Sequence, residues 1–155
     1  MTYQRLQPAN AINIIPVDGL KLPDSKVAGV RGVSSLGANK LFDSTTPVSF
    51  VELVPIGATV YNLSTGAGAT VVGVNGPKQI TLSADIFTAV GELYIIGKVG
   101  RGAAIWSGTG GDISGVTAGG DDIFMPSVPP ATMIPVLMSV INATDTTATD
   151  MYALY

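Results

Sequence analysis

The sequence predicts an all-β protein, built as an antiparallel β-sandwich or jelly-roll-like unit. Short segments rich in Val, Ile, Thr and Tyr recur along the 155 residues, and Gly, Pro, Asn or Asp bound them. No stretch of about eleven residues or more keeps its apolar positions at helical spacing. Glycine-rich turns separate the segments at intervals of about eight to twelve residues, which is typical of sandwiches and barrels.

Each predicted strand is a β-branched or aromatic run that ends at a turn-forming residue. In chain order the strands cover residues 11–17, 48–54, 57–62, 69–75, 79–83, 93–98, 103–107, 133–141 and 150–155. The helix candidate is a single turn at 83–87, where Ser83 offers its hydroxyl as an N-cap and Gly91 ends the connection.

Turn signals favour antiparallel pairing of these strands. Asn75 and Gly76 accept the positive φ angles of a two-residue hairpin turn, and Pro77 after them cannot donate a ladder hydrogen bond. Runs rich in Gly, Ser, Thr and Asp at 64–68, 108–111 and 118–121 predict further hairpin loops.

The spacing of the strands also predicts a division of the chain. Five predicted strands joined by tight turns lie within residues 41–98, which indicates a small inserted β-barrel. The flanks, residues 1–40 and 99–155, are then expected to pair as one β-sandwich-like unit. The alternative is a single continuous sandwich.

The composition excludes several kinds of chemistry. The chain contains no Cys and no His, which removes disulfides, thiol nucleophiles, Ser-His-Asp triads and imidazole metal sites. A net charge of -3 without a Lys/Arg cluster disfavours nucleic acid as a partner. The first residues lack the apolar core of a signal peptide, and the longest apolar stretch is roughly half a membrane span. We therefore expect no membrane partner.

Two motifs suggest chemistry, and each has a simpler interpretation. The run at 97–102 combines glycines with cations but lacks the P-loop pattern, which favours a junction between β units. Asp121 and Asp122, together with Asp112, offer oxygen ligands for calcium, but EF-hand spacing is absent and solvated turn carboxylates are the favoured interpretation. We predict no catalytic, cofactor-binding or metal-ligating residue, no cofactor and no enzymatic activity.

The segment 133–141 is apolar on both faces of its predicted strand. Because an antiparallel strand with one face in water alternates, this pattern predicts cover on both faces. We expect the chain's own core to cover one face and a second copy of the chain to cover the other. The candidate subunit-interface residues are Val136, Leu137, Met138 and Ile141. Pro135 places the strand at a sheet edge or a bulge, and the alternative is a strand wholly inside a two-sheet sandwich.

Several phrases of the sequence resemble small virion structural proteins of tailed bacteriophages. They are FDSTT at 42–46, GATVYNLSTG at 57–66, QITLSADIF at 79–87, GTGGD at 108–112, TAGGD at 117–121 and TTATD at 146–150. The resemblance implies a capsid decoration or cement protein that bridges neighbouring capsid subunits. It also implies a homotrimer, made in the host cytoplasm, that binds the major capsid protein on the capsid surface of the virion.

Low charge favours the same class, since only 12% of the residues are charged against a usual ~25%. A surface this poor in charge is typical of a protein that covers much of itself with partners. A tail, baseplate or fibre-attachment subunit is the alternative within the class. A carbohydrate-binding β module, with Trp106 and Tyr61 as stacking surfaces, is the alternative outside it.

Overall fold

The computed structural model describes residues 11–22, 30–35, 39–97 and 103–155. Within these ranges the chain consists of β-strands and one short helix, so the prediction of an all-β, sandwich-like fold with antiparallel sheets is confirmed. The elements are β1 Ala11–Ile14, β2 Val30–Val33, β3 Lys40–Phe42, α1 Phe50–Leu53, β4 Thr59–Asn62, β5 Gly68–Gly76, β6 Gln79–Leu82, β7 Leu93–Gly97, β8 Ala103–Ser107, β9 Gly111–Thr117, β10 Asp122–Val128, β11 Thr132–Ile141 and β12 Met151–Leu154.

The first sheet joins β1 to the strands of the C-terminal part of the chain. Its order is β1-β12-β8-β11-β9-β10, and every pair is antiparallel. The connection at 108–110 leads from β8 to β9, but β11 lies between these two strands, so this loop does not close a hairpin. The loop at 118–121 does close one, between β9 and β10.

The second sheet has the order β2-β7-β4-β5-β6-β3. It curls into a half-barrel, and the backbone N–H of Ser35 after β2 donates to the carbonyl of Phe42 in β3 at 2.6 Å, which links the two edge strands. All of its described strands fall within 30–97, so β2 pairs with the segment predicted as an insertion and not with the flanks. The division into two domains stays a prediction.

Two hydrophobic cores share the strands β4 and β7. Tyr61 and Ile95 pack into the first core with side chains of the first sheet. Their neighbours Val60 and Ile96 pack into the second core, inside the half-barrel. These two strands are therefore buried on both faces, although β4 contains the polar residues Thr59 and Asn62.

The segment predicted as a strand at 48–54 contains the helix α1, so that prediction is wrong. Phe50 and Val54 are buried, while the three residues between them, Glu52 included, are exposed. This four-residue spacing brings one face of a helical turn onto the core, whereas a strand would bury Glu52 together with Phe50 and Val54. Phe50 also donates its backbone N–H to Pro77 at 2.9 Å, which fixes α1 to the turn between β5 and β6.

The helical turn predicted at 83–87 does not form. Ser83 is hydrogen-bonded to Thr70 of β5. Its N–H donates to the Thr70 carbonyl at 2.9 Å, and its hydroxyl accepts from the Thr70 N–H at 3.0 Å. The hydroxyl is therefore not available as an N-cap.

The predicted turn at Asn75 and Gly76 lies two residues later, because β5 extends to Gly76 opposite Gln79.

Ala131, before β11, has a left-handed backbone (φ 55) although it is not a glycine. Left-handed φ costs a non-glycine residue about 1–2 kcal/mol. We expect Ala131→Gly to raise the free energy of unfolding by about 0.5–1 kcal/mol, after the added entropy of the unfolded chain is subtracted. Urea unfolding measures this. The control is Ala118→Gly, at an exposed turn residue that lacks positive φ. If both changes alter the free energy of unfolding equally, the backbone at Ala131 is not strained.

Candidate subunit interface

The four residues predicted at a subunit interface have different environments. Met138 and Ile141 are 0% and 2% exposed and belong to the first core. Their selection as interface residues is therefore corrected, because in the single chain they face inward. Val136 is half-buried against the same core, while Leu137 is 50% exposed. Leu137 alone of the four is exposed, with half of its surface open to the outside.

β11 contains a bulge between Ile134 and Met138. Ile134 lies opposite Ile105 of β8, and Met138 lies opposite Ala103. Three residues from Pro135 to Leu137 therefore face one residue of β8, so the register shifts. Pro135 has no N–H to donate, which makes the bulge the position in a central strand where it fits. The prediction of an edge or a bulge is thus met by a bulge, since β8 and β9 flank β11 on both sides.

The exposed apolar side chains of this strand are Met133, Pro135 and Leu137, which we call the β11 ridge. Met133 is 44% exposed and lies opposite Trp106, which in turn lies opposite Tyr152 of β12. The ridge thus continues into a row of half-buried aromatic side chains across three strands. The backbone carbonyl of Leu137 accepts from the Ala118 N–H at 2.7 Å, which anchors the ridge to the β9–β10 hairpin.

A second exposed apolar surface lies at the edge of the half-barrel. Val33 of β2 and Leu93 of β7 are directly opposite each other and are 40% and 51% exposed. Val90, 73% exposed, lies beside them, because the N–H of Gly91 donates to the Ser34 carbonyl at 2.7 Å. We call Val33, Val90 and Leu93 the β7 patch.

The two aromatic residues predicted as carbohydrate-stacking surfaces do not form a shared platform. Tyr61 is 2% exposed and packs in the first core, where burial raises the pKa of its phenol. A ring in this position offers no face to a sugar. Trp106 is half-buried in the first sheet. The pairing of these two residues as a binding site is therefore wrong.

Asp43 is a fully buried carboxylate, and its hydrogen bonds explain its position. Its Oδ1 accepts from the N–H and hydroxyl of Thr45 at 2.8 and 2.7 Å and from the N–H of Thr46 at 2.9 Å. Its Oδ2 accepts from the Tyr94 hydroxyl at 2.8 Å. Burial opposes ionisation, but these donors outweigh it and lower the pKa of Asp43. A carboxylate so enclosed fixes the half-barrel and has no access to a substrate.

We expect Asp43→Asn to lower the free energy of unfolding at neutral pH by about 1–3 kcal/mol, because an amide cannot accept at both positions. A lowered folded-state pKa stabilises the fold above the unfolded value of ~3.9, and this contribution disappears as pH falls through the folded value. In urea unfolding measured from neutral pH into the acid range, the free energies of unfolding of wild type and variant should converge as the pH falls. The exposed Asp85→Asn is the control, and parallel acid losses in wild type and Asp43→Asn would contradict the assignment.

The acidic residues considered for calcium lie in or beside exposed turns. Asp121 and Asp122 are exposed, and Asp112 accepts from the backbone N–H of Ser127 at 2.8 Å. Among the residues that the structure describes, no three Asp, Glu, His or Cys side chains form a group that could hold a metal ion.

The run at 97–102 lies, apart from Gly97, outside the described residues. Across the described ranges, no helix has the length and apolar character needed to cross a membrane.

Sequence reasoning missed a depression on the outer face of the first sheet. Ser114, Asp122, Phe124 and Asn142 line it, and its volume is about 410 Å³. The residues come from β9, β10 and the end of β11, and the first two of these strands are absent from the strands that the sequence predicts. The apolar run from Ile123 to Met125 is the one sequence signal that could have indicated β10.

Comparison with models of known protein families, with curated proteins and with solved structures found no match to this chain.

Proposed function

We propose that this chain is a non-enzymatic virion structural protein of a tailed bacteriophage, a capsid decoration or cement protein. It is made in the host cytoplasm and binds the major capsid protein on the outer surface of the capsid. The observation that carries the proposal is the exposure of apolar side chains on both sheets of a charge-poor protein. The resemblance of its turn phrases to phage virion proteins supplies the class.

The exposed apolar surface favours permanent partners. Twelve large apolar side chains in the described ranges are 38–73% exposed. Monomeric proteins rarely leave large contiguous apolar patches in water, and such patches usually mark interfaces. With few charged residues around them, little else on this surface opposes association.

The positions of the two surfaces suit a bridging role. The β11 ridge lies on the first sheet, and the β7 patch lies on the edge of the second. We assign the β11 ridge to contact between copies in a homotrimer and the β7 patch to the capsid protein. Because β11 is hydrogen-bonded on both sides, the ridge is already ordered before it binds, which lowers the entropy cost of association.

The assignment predicts opposite effects of two matched substitutions. Leu137→Asp should dissociate the trimer, because it places a charge in an apolar contact, while the unfolding free energy of the single chain changes little. Val90→Asp should leave the trimer intact and abolish binding to capsids that lack the decoration protein. Sedimentation and capsid co-sedimentation measure the two effects. A wild-type chain that sediments as a monomer at micromolar concentration would contradict the trimer.

A further inference from the structure

The depression on the first sheet brings an aromatic ring, a hydroxyl and an amide into one row. Phe124 of β10 lies directly opposite Ser114 of β9. Asn142, at the end of β11, donates its N–H to the Ser114 carbonyl at 2.9 Å, so it lies on the other side of Ser114. Asp122, two residues before Phe124 on the same face, adds a carboxylate beside this row.

The polar groups of the depression point to a ligand with many hydroxyls. Asn142 Oδ1 accepts from the Gly19 N–H at 3.2 Å, and this bond leaves the amide Nδ2 to donate outward. Within the described residues, the Ser114 hydroxyl and the exposed Asp122 carboxylate make no hydrogen bond to the protein. The row therefore offers one donor, one acceptor and one group that does both.

The apolar wall is the ring of Phe124, which is 54% exposed. An aromatic ring this open beside unpaired polar groups matches the pattern of small-ligand sites, where an apolar surface carries a few placed hydrogen-bonding groups. The volume of about 410 Å³ falls in the range of such sites. No Lys or Arg lines the depression, and Asp122 disfavours anions.

The rim of the depression is held in place before any ligand arrives. Thr144, two residues after Asn142, donates its N–H and hydroxyl to the two carboxylate oxygens of Asp18 at 2.8 and 2.7 Å. With the Gly19–Asn142 bond, these contacts fix the loop before Leu20 to the end of β11. A fixed rim spares the ligand the entropy cost of ordering it.

We propose that this depression binds a neutral pyranose ring of a glycan. The apolar C–H face of the sugar lies on Phe124, and its hydroxyls donate to Asp122 and accept from Asn142 and Ser114. The inference rests on the first sheet alone and is independent of the proposed capsid role. It also differs from the site expected at Trp106 and Tyr61, neither of which lines this depression.

Saturation-transfer difference NMR with methyl glycosides of glucose, galactose and N-acetylglucosamine tests the proposal on the full chain. We expect transfer to the C–H protons of at least one glycoside, and Phe124→Ala should weaken that binding about tenfold. Phe124→Tyr should retain binding, and Asp122→Asn should weaken it. Phe124 is exposed, so Phe124→Ala should unfold at the wild-type temperature, which separates lost binding from lost structure.

Leu53→Ala is the matched control, because Leu53 is 54% exposed like Phe124 but lies in α1, outside the depression, the β11 ridge and the β7 patch. It should bind like wild type. Absence of transfer to all three glycosides at millimolar concentration would overturn the proposal. So would binding that Phe124→Ala leaves unchanged, since the sugar would then lie elsewhere.

Discussion

Gly115→Ala is expected to destabilise the fold by about 3 kcal/mol or more, at the top of the range for overpacked cores. A Cβ on Gly115 would clash with the Val140 carbonyl oxygen and would lie 2.7 Å from Met138 Cε. The oxygen belongs to the backbone of β11, so relief requires β9 and β11 to separate. Because β9 and β11 adjoin one another in the middle of the first sheet, we expect the whole sheet to loosen.

Gly73→Ala is the control for this effect. Gly73 also lies in an antiparallel strand, but its nearest contact would be Thr81 Cβ at 3.7 Å, an ordinary packing distance. We expect no loss, or a small gain from the reduced entropy of the unfolded chain. Urea unfolding of both variants measures the difference. If Gly115→Ala is no less stable than Gly73→Ala, β9 and β11 do not lie as close together at Gly115 as the structure has them.

Met138→Ala is expected to cost about 2–5 kcal/mol, as large-to-small changes in cores do. Met138 is 0% exposed and packs in the first core, so the change leaves a cavity. Leu137→Ala, one residue earlier, should change the unfolding free energy of the dissociated chain by less than about 0.5 kcal/mol. Both variants should be measured by urea unfolding at concentrations low enough to keep the chain monomeric.

The pair separates core from interface on neighbouring residues. If Leu137→Ala costs as much as Met138→Ala in the monomeric chain, Leu137 belongs to the core and the β11 ridge is not an interface. If Leu137→Ala instead weakens self-association and leaves the unfolding free energy of the monomeric chain unchanged, Leu137 belongs to the interface on the β11 ridge.

Continuous apolarity predicts cover on both faces of 133–141, and the single chain covers one of them. Met133 and Leu137 are exposed, so the cover expected from a second copy stays a prediction. Although the register shifts at the bulge, the more exposed and the more buried residues of β11 still alternate from Met133 to Val140. The strands with both faces covered are β4 and β7, where Tyr61 and Val60 enter different cores. Such cover depends on the packing of two sheets, which no local pattern reveals.

The strands missed by sequence reasoning are poor in β-forming residues or very short. In β9 the residues Gly111, Asp112 and Gly115 resemble a turn, but neighbouring strands on both sides supply its hydrogen bonds. The short strands β2 and β3 form at the edges of the half-barrel. The candidate glycan site was missed for the same reason: Phe124, Ser114 and Asn142 meet only when β9 and β10 are recognised as paired strands.

The proposed decoration role predicts a definite position of the chain in a virion. Cryo-electron microscopy of purified virions from the source of the sequence, with the fold placed in the density, measures that position directly. We predict copies arranged in threes on the outer capsid surface, with the β11 ridge between copies and the β7 patch on the major capsid protein. Density confined to the tail, baseplate or fibres, or absence of the chain from the particle, would contradict the decoration role.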